Sequence, residues 1–254
     1  MKVIISPAKK MNIDTDTLDF HGFPVFLDQT KKLMTYIQGL SYEECKSLWN
    51  CNDRIARQNF TRFAEMDLEH MLTPAILSYE GIQYQYMAPV VFEDCQYRYI
   101  QKYLRILSGF YGVLKPMDGV TPYRLEMQAK LRMTGYKDLY EFWGSRLYQE
   151  VIDESHILMN LASKEYFRCI EPYLQPEDTC IICVFGEYDG KKVRQKGTYA
   201  KMARGEMVRF MAEQQIEDPC EIKKFDRLGY QFREDLSSET EYVFCSGSEK
   251  RSNH

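Results

Sequence analysis

The sequence predicts a mixed α/β fold (α+β), a single domain in which helices wrap a mixed central sheet. Short apolar runs bounded by turn residues, such as 157–161 and 179–185, are typical of inner strands. Helical patterns lie between these runs without the regular alternation of a βαβ protein. No repeat and no linker rich in Pro, Gly or Ser divides the chain, so residues 1–254 are predicted to form one domain.

The predicted strands are short runs that end at turn signals. They are predicted at 2–5, 75–79, 157–161, 179–185, 230–234 and 241–245, the last two as a hairpin. A tight turn at 188–191 is predicted to continue the fourth of these strands into a polar strand.

The predicted helices carry apolar residues on one face, which would pack against the sheet. They are predicted at 28–40, 41–50, 52–66, 93–107, 137–152 and 199–215. Ser41 and Glu44 have the spacing of a capping box, which predicts the start of the second helix.

Positive charge is concentrated in two segments of a chain whose formal net charge is −4. Residues 98–132 carry seven Lys or Arg against two acids, and residues 191–209 carry seven against one. The local charges of +5 and +6 favour an anionic partner, above all nucleic acid. An acidic protein held by generic electrostatics is the alternative partner.

The first basic segment contains a stripe of three cations. In the predicted helix 93–107, Arg98, Lys102 and Arg105 lie within about 60° of one another, with apolar residues on the opposite side. A solvated helix face would explain this stripe, and so would a surface that binds phosphates.

The stripe leads directly into Gly109 and Gly112, which flank a two-residue aromatic tip. This layout resembles a helix-hairpin-helix turn, in which backbone N–H groups bind phosphates, although the usual turn has one residue between its glycines. Lys115 follows the tip and could add a point charge. Glycines that simply cap a helix are the alternative interpretation.

The second basic segment predicts another cationic helix face. Lys201, Arg204 and Arg209 lie on an arc of about 140° if the helix begins at Tyr199. Tyr199 and Phe210 could stack on bases or anchor the helix. The two cationic helices could form two walls of one groove.

Polar residues at the ends of two predicted strands suggest a different function, an enzyme that acts on nucleic acid or on a nucleotide or nucleobase. Ser6 and Lys9 follow the first strand, and Asn160 and Ser163 follow the strand 157–161. Glu126 lies between basic residues and could act as a general base or pair with a neighbouring arginine. Strand-ending turns and helix capping are the structural alternatives for these residues.

No metal site, cofactor motif or membrane span is evident in the sequence, and we assign no catalytic residue from it. Cys180 and Cys183 form a C-x-x-C within an apolar strand, and the four histidines are scattered, so buried free thiols are expected. The apolar start is too short for a signal peptide. These features predict a soluble cytoplasmic protein, and we favour a monomer.

Six motifs together resemble the YaaA family of peroxide-stress proteins. The motifs occur in the family's order and span nearly the whole chain. They are ISPAK at 5–9, LSGFYGVLKP at 107–116, PYRLEM at 122–127, LYEFWG at 139–144, NLAS at 160–163 with EYF at 165–167, and YAK at 199–201 with ARG at 203–205.

The resemblance implies a single-domain α/β fold of unusual topology that binds DNA in a positively charged cleft with a helix-hairpin-helix element. It also implies a role in limiting damage by peroxide and intracellular iron. Together with the charge pattern it predicts a set of DNA-contacting residues. These residues are Lys9, Arg98, Lys102, Arg105, Gly109, Gly112, Lys115, Arg124, Lys164, Lys201, Arg204 and Arg209.

The sequence departs from the family pattern at three places. Residues 80–84 read EGIQY where the family has a segment with a cation, so we expect no DNA contact there. Lys10 replaces a threonine, and Gln128 replaces a glycine. These departures affect local details and leave the predicted cleft in place.

Overall fold

The computed structural model describes residues 1–247 of the chain, so the last seven residues of the predicted domain 1–254 lie outside the described residues. The described part forms ten α-helices. They are α1 Leu27–Gln38, α2 Tyr42–Trp49, α3 Asp53–Ala64, α4 Ala75–Ser78, α5 Ile82–Met87, α6 Asp94–Tyr103, α7 Leu139–Trp143, α8 Arg146–Val151, α9 Lys164–Phe167 and α10 Gly197–Gln214.

The same residues form twelve strands, most of which belong to one large sheet. They are β1 Lys2–Ile5, β2 Lys10–Met11, β3 Thr73–Pro74, β4 Tyr79–Glu80, β5 Leu104–Ser108, β6 Gly112–Leu114, β7 Gly119–Val120, β8 Ile157–Leu161, β9 Thr179–Tyr188, β10 Val193–Arg194, β11 Tyr230–Phe232 and β12 Glu241–Ser246.

The main sheet is mixed and has the order β11-β12-β9-β8-β1-β5-β6, with β10 paired to β9. The five inner strands, from β12 to β5, are parallel to their neighbours. The edge strands β11 and β6 are antiparallel, as is β10. The mixed sheet with surrounding helices confirms the predicted fold class.

The connections from β1 create a switch point in this sheet. The chain passes from β1 to β5 on one side and later returns to β8 on the other side of β1. Neighbouring loops therefore diverge at the carboxyl ends of β1 and β8 and leave a crevice, which is where open α/β sheets commonly bind ligands.

Burial explains why the inner strands are apolar on both faces. Ile4 and Ile5 in β1 are fully buried, and Leu158 and Leu161 in β8 are fully buried as well. Helices on both sides of a parallel sheet remove both of its faces from water. One continuous cluster of buried apolar residues runs from Met1 to Phe244.

Many predicted elements are confirmed with small shifts at their ends. The helices predicted at 28–40, 41–50, 52–66 and 199–215 are α1, α2, α3 and α10, and the C-terminal hairpin is β11 and β12. The capping box is present: Glu44 N–H donates to Ser41 Oγ, and Ser41 N–H donates to Glu44 Oε2 at 2.8 Å.

Three predicted elements are wrong. Residues 75–79 form the short helix α4 and enter β4 only at the end, and the helix predicted at 137–152 is broken into α7 and α8 at Gly144, whose φ is +55°. The helix predicted at 93–107 ends at Tyr103. Its last apolar residues form β5, because pairing with β1 buries them on both faces.

The helix-hairpin-helix element is also a wrong prediction. Gly109 and Gly112 lie in the tight turn of a β-hairpin between β5 and β6. The amides of Phe110 and Tyr111 donate to Ser108 Oγ at 3.2 and 2.8 Å, and both aromatic rings are buried. These N–H groups therefore satisfy an internal hydroxyl and do not face a phosphate.

None of the helices within residues 1–247 combines the length and the apolar character that a bilayer crossing requires.

Candidate functional site

A cavity of about 490 Å³ opens at the carboxyl ends of β1 and β8, at the switch point of the sheet. Five segments far apart in the sequence contribute side chains to it: 6–10, 80–84, 123–126, 163–166 and 201–204. This cavity, called the switch-point pocket below, is within the usual size range of small-molecule sites.

Two serines join the strand ends beneath the pocket. Ser6 follows β1, and its Oγ donates to Ser163 Oγ at 3.2 Å and accepts from the Ser163 N–H at 2.8 Å. Ser163 is the residue before α9, but its side chain makes no capping hydrogen bond. The pair fixes the separation of the two loops that diverge from β1 and β8.

A carboxylate clamped by two cations forms one wall of the pocket. Glu126 Oε2 lies 2.8 Å from Lys9 Nζ, and Glu126 Oε1 lies 3.0 Å from an Arg124 terminal nitrogen. Lys9 is exposed, whereas Arg124 and Glu126 retain 12% and 18% of their side-chain exposure. The sequence left open whether Glu126 pairs with a neighbour, and the structure shows that it pairs with two cations.

The opposite wall carries cations from α10. Lys201 is exposed and Arg204 is half-buried, and no carboxylate of residues 1–247 lies within ion-pair distance of either. Burial lowers the pKa of the Arg204 guanidinium. A bound anion would offset this cost of desolvation.

The wall exists because α10 packs unusually close to α5. A Cβ at Gly205 would lie 2.1 Å from the Gln83 carbonyl oxygen and 2.9 Å from the Met87 nitrogen. Glycine therefore allows the backbones of the two helices to touch, which brings Arg204 beside the α5 residues of the pocket.

Three residues of the pocket have buried N–H donors that are unsatisfied. Gln83 Nε2, Arg124 Nε and Arg204 Nε have no hydrogen-bond partner among the described residues. An unsatisfied buried donor costs about 1–3 kcal/mol, so three such groups around one cavity call for an explanation. A ligand with several acceptor atoms would provide one.

Aromatic rings complete the pocket. Tyr123 lines it and shares its hydroxyl with Ser108 and Tyr79, at 2.6 and 2.8 Å. Tyr84 donates from its hydroxyl to the Ser6 carbonyl oxygen at 3.0 Å, and Tyr166 packs nearby. Burial raises the pKa of the Tyr123 hydroxyl to about 12, so this hydroxyl stays protonated at neutral pH.

The charges of the pocket sum to a cationic site. Five of its residues are Lys or Arg and three are Glu, a difference of +2. Glu80 pairs with Lys10 at 2.7 Å. Burial raises the pKa of Glu165, and the nearby charge of Glu126 acts in the same direction. The remaining positive charge lies with Lys201 and Arg204.

Four of the predicted DNA-contacting residues meet in this pocket: Lys9, Arg124, Lys201 and Arg204. Lys164, the first residue of α9 and the neighbour of Ser163 in the chain, is exposed but does not line the pocket. The sequence indicated these cations through their charge and their positions after strands or on α10.

Arg98 and Lys102 lie elsewhere. They line a second, more open groove of about 480 Å³ together with His21 and Asp94. Lys102 also lies 3.3 Å from Glu217. The two basic helices α6 and α10 thus contribute cations to different cavities and do not form the two walls of one groove that their charge pattern suggested.

The other predicted DNA-contacting residues have partners within the protein or lie away from the pocket. Arg105 is buried in β5 and donates to the carbonyl oxygens of Leu104 and Gln101 at 2.7 and 3.3 Å. Arg209 pairs with Glu213 at 2.7 Å. Lys115 is exposed beside a small cleft of about 30 Å³. The buried Gly109 and Gly112 offer no surface.

The residues of the alternative enzyme pocket converge with one exception. Ser6, Lys9, Glu126 and Ser163 all line the switch-point pocket. Asn160 is buried in β8, where its Oδ1 accepts from the Ala162 N–H at 2.9 Å. Its side chain therefore holds the start of the loop that follows β8 and does not line the pocket.

Several pocket residues are not among the predicted site residues. Gln83 and Tyr84 belong to the segment 80–84, where an acid replaces the family's cation and no DNA contact is expected, yet that acid, Glu80, lines the pocket as well. The sequence does contain a feature that indicates Glu165 and Tyr166 as site residues, because they closely follow a strand end and belong to the EYF motif.

Within residues 1–247 no group of three or more His, Cys, Asp or Glu side chains could hold a metal ion. All eight cysteines are free thiols, and Cys183 of the C-x-x-C is buried in β9. Burial raises the pKa of both Cys180 and Cys183 to about 12, which makes them poor nucleophiles at neutral pH.

Comparison with known proteins gives a family match. The family described as "Peroxide stress protein YaaA" matches residues 1–236. A UPF0246 protein of Agathobacter rectalis is 62% identical over 96% of this chain and 98% of its own length. UPF0246 proteins of Lachnoclostridium phytofermentans and Pediococcus pentosaceus are 60% and 53% identical, over 97% and 96% of this chain and 97% of their own lengths.

Proposed function

The chain belongs to the peroxide stress protein YaaA family, and we propose that it serves the peroxide stress response by binding DNA at the rim of the switch-point pocket, where it limits damage by peroxide and iron. The observation that carries the proposal is the pair of unopposed cations on α10, Lys201 and Arg204, in a cavity that three further cations line. Duplex DNA or a distorted duplex would meet the exposed rim.

Electrostatics favours the rim over the rest of the surface. Lys201 is exposed there with no carboxylate within ion-pair distance among residues 1–247, and Lys9 is exposed as well but pairs with Glu126, whereas Lys102 and Arg209 face carboxylates elsewhere. Free cations gain more from a phosphate than paired ones, because a paired cation must first give up its carboxylate. Binding would therefore release counterions and weaken steeply with added salt.

The test is fluorescence anisotropy with single-stranded, duplex and gapped DNA across a salt series. We expect the double variant Lys9→Glu/Lys201→Glu to abolish binding at moderate salt. Its matched control, Arg98→Glu/Lys102→Glu, makes the same charge change in the second groove and should leave binding nearly intact. Loss of binding in the control with retention in the pocket variant would overturn the proposed surface.

A specific interaction should also change the salt dependence. Each lost phosphate contact should reduce the slope of log K against log salt by about 1. Heparin competes with any cationic surface, so equal displacement by heparin and DNA would favour generic electrostatics, including an acidic protein as partner. Tighter binding of gapped than of intact duplex would support a role at damaged DNA.

The second candidate is an enzyme that acts on nucleic acid or on a nucleotide or nucleobase. It rests on the convergence of Ser6, Lys9, Glu126 and Ser163 on one cavity. The clamp of Lys9 and Arg124 keeps Glu126 positioned, as a group that handles protons requires. Chromatography of nucleotides and DNA incubated with the protein and with Glu126→Gln would detect turnover; product that forms equally with the variant would exclude Glu126.

The proposal further places the protein in the cytoplasm as a monomer. The eight free thiols suit a reducing compartment. Sedimentation of the purified protein over a concentration series would reveal a dimer, and fractionation of cells would locate the protein.

A further inference from the structure

We infer that the switch-point pocket binds a single nucleotide unit, with its phosphate at Arg204 and Lys201 and its base against the tyrosines. This inference rests on the proposed function and names the ligand chemistry of the same site. The nucleotide could be free or belong to a DNA strand, since both carry a phosphate and an aromatic base.

The first argument is the surplus of donors. Arg204, Arg124 and Gln83 each have a buried N–H group without a partner among residues 1–247, and all three residues line the pocket. Donors of this kind require acceptor atoms, which phosphates and base carbonyls carry in high density. The three nitrogens are covered in this conformation, so a direct contact with a ligand would require the side chains to rotate.

The second argument is the division of charge within the pocket. Glu126 already pairs with Lys9 and Arg124, whereas Arg204 and Lys201 have no carboxylate within ion-pair distance in the described part of the chain. Together with Glu165, which lies near Lys9 and Glu126, Glu126 balances the charges of these two cations, whereas the α10 end stays cationic. An anionic group belongs at the α10 end.

The third argument is the volume and the apolar lining. A cavity of about 490 Å³ is much larger than an inorganic phosphate, so the ligand has an organic body. Tyr84, Tyr123 and Tyr166 present aromatic rings, and Ile82 and Leu125 add aliphatic surface. Rings of this kind stack on nucleobases, and each stacked base contributes to affinity irrespective of sequence.

The experiment is calorimetric titration of the full chain with nucleoside monophosphates, a nucleoside, ribose 5-phosphate and inorganic phosphate. We expect the monophosphates to bind. The nucleoside and inorganic phosphate should bind at least about tenfold more weakly, since each retains only part of the contacts. Equal affinity for inorganic phosphate and the monophosphates would overturn the inference.

Variants separate this site from the rest of the surface. Arg204→Gln should weaken monophosphate binding about tenfold or more. Lys201→Gln removes the other cation of the α10 end, and because the Lys201 side chain is exposed, this change does not disturb the core. Arg98→Gln in the second groove is the matched control and should bind normally. Equal loss in Arg98→Gln and Lys201→Gln would contradict the inference.

Parallel DNA anisotropy on the same proteins keeps the two proposals apart. Retained DNA binding with no binding of any nucleotide would overturn the inference and leave DNA binding in place. Nucleotide binding without DNA binding would support the inference and overturn the proposed DNA binding. If both occur, displacement of the mononucleotide by single-stranded or gapped DNA shows that a DNA nucleotide enters the pocket, and independent binding assigns the pocket to a free nucleotide.

Discussion

Asp118 shows how burial changes the chemistry of one side chain in this protein. It is 6% exposed, and its Oδ2 accepts from the Lys115 N–H at 2.8 Å. Burial raises its pKa to about 7, although the Lys115 N–H and the charges of Lys115 and Arg105 act in the opposite direction. The carboxyl group is therefore easier to bury protonated than ionised.

This shift predicts a pH-dependent stability. An acid whose pKa is raised by folding stabilises the native state most below its unfolded value of 3.8, and this contribution is lost as pH rises toward about 7. In the wild-type protein the unfolding free energy should fall between pH 5 and 7, and the isosteric variant Asp118→Asn, which cannot ionise, should show a smaller fall. The difference is at most about 1.4 kcal/mol for each unit by which folding raises the pKa of Asp118. Urea titrations at several pH values measure it, and an unchanged slope would contradict the assignment.

At the scale of elements, two kinds of local contact fix helices of this protein, a side-chain cap at the start of α2 and a close approach of two helix backbones. The capping box of α2 joins Ser41 and Glu44 through two reciprocal hydrogen bonds. The helices α5 and α10, by contrast, touch through Gly205. These two contacts differ in kind, since one satisfies helix-end amides and the other sets the distance between helices.

Removal of the α2 cap should cost a modest amount of stability. Ser41→Ala leaves the Glu44 N–H without its acceptor and should lower the unfolding free energy by about 1 kcal/mol. Ser41→Asn keeps an acceptor at the same place and should change it by only a few tenths. Chemical denaturation followed by circular dichroism compares the two; equal losses would mean that the cap contributes little.

Addition of one methyl group at Gly205 should cost more. Its Cβ would meet backbone atoms of α5 that cannot move independently, so Gly205→Ala should destabilise the fold by about 1–3 kcal/mol through overpacking. It should also weaken any ligand binding in the pocket, because α5 and α10 form its walls. Gly197→Ala, in the same helix with open space around it, is the control and should be neutral or stabilising.

At the scale of the whole molecule, one apolar cluster contains residues of the main-sheet strands and of the helices. Such continuity predicts that residues 1–247 unfold as a unit. Thermal unfolding followed by far-UV and near-UV circular dichroism should give coincident transitions. Two separate transitions would mean that the chain contains independently folding parts.

The charge pattern also belongs to this scale. The segments 98–132 and 191–209 are strongly basic along the chain, yet a tertiary contact places Glu217 beside Lys102, and the next turn of α10 places Glu213 beside Arg209. The local charge counts miss both acids, because Glu213 lies just beyond the counted segment and Glu217 comes from a different part of the chain. Of the cations in these segments that have no carboxylate partner among residues 1–247, only Lys201 and Arg204 line the switch-point pocket.

Local patterns were sufficient for the amphipathic helices α1, α2, α3 and α10, for the apolar strands β1, β8 and β9, and for the family, because caps, periodicity and motifs are properties of neighbouring residues. Strand β5 could not be foreseen: its residues suit a helix or a strand, and only pairing with β1 decides between them. The same holds for the hairpin at Gly109 and Gly112, whose amides bind Ser108.

The candidate site divides in the same way. Ser6, Lys9, Glu126 and Ser163 could be singled out because chemical type and a position near a strand end or in a basic segment are visible in the chain. Their meeting with Gln83, Tyr84 and Arg204 depends on the parallel pairing that sets β8 beside β1 and on the contact of α5 with Gly205. Distances between segments a hundred residues apart arise from packing, and packing is a property of the folded chain.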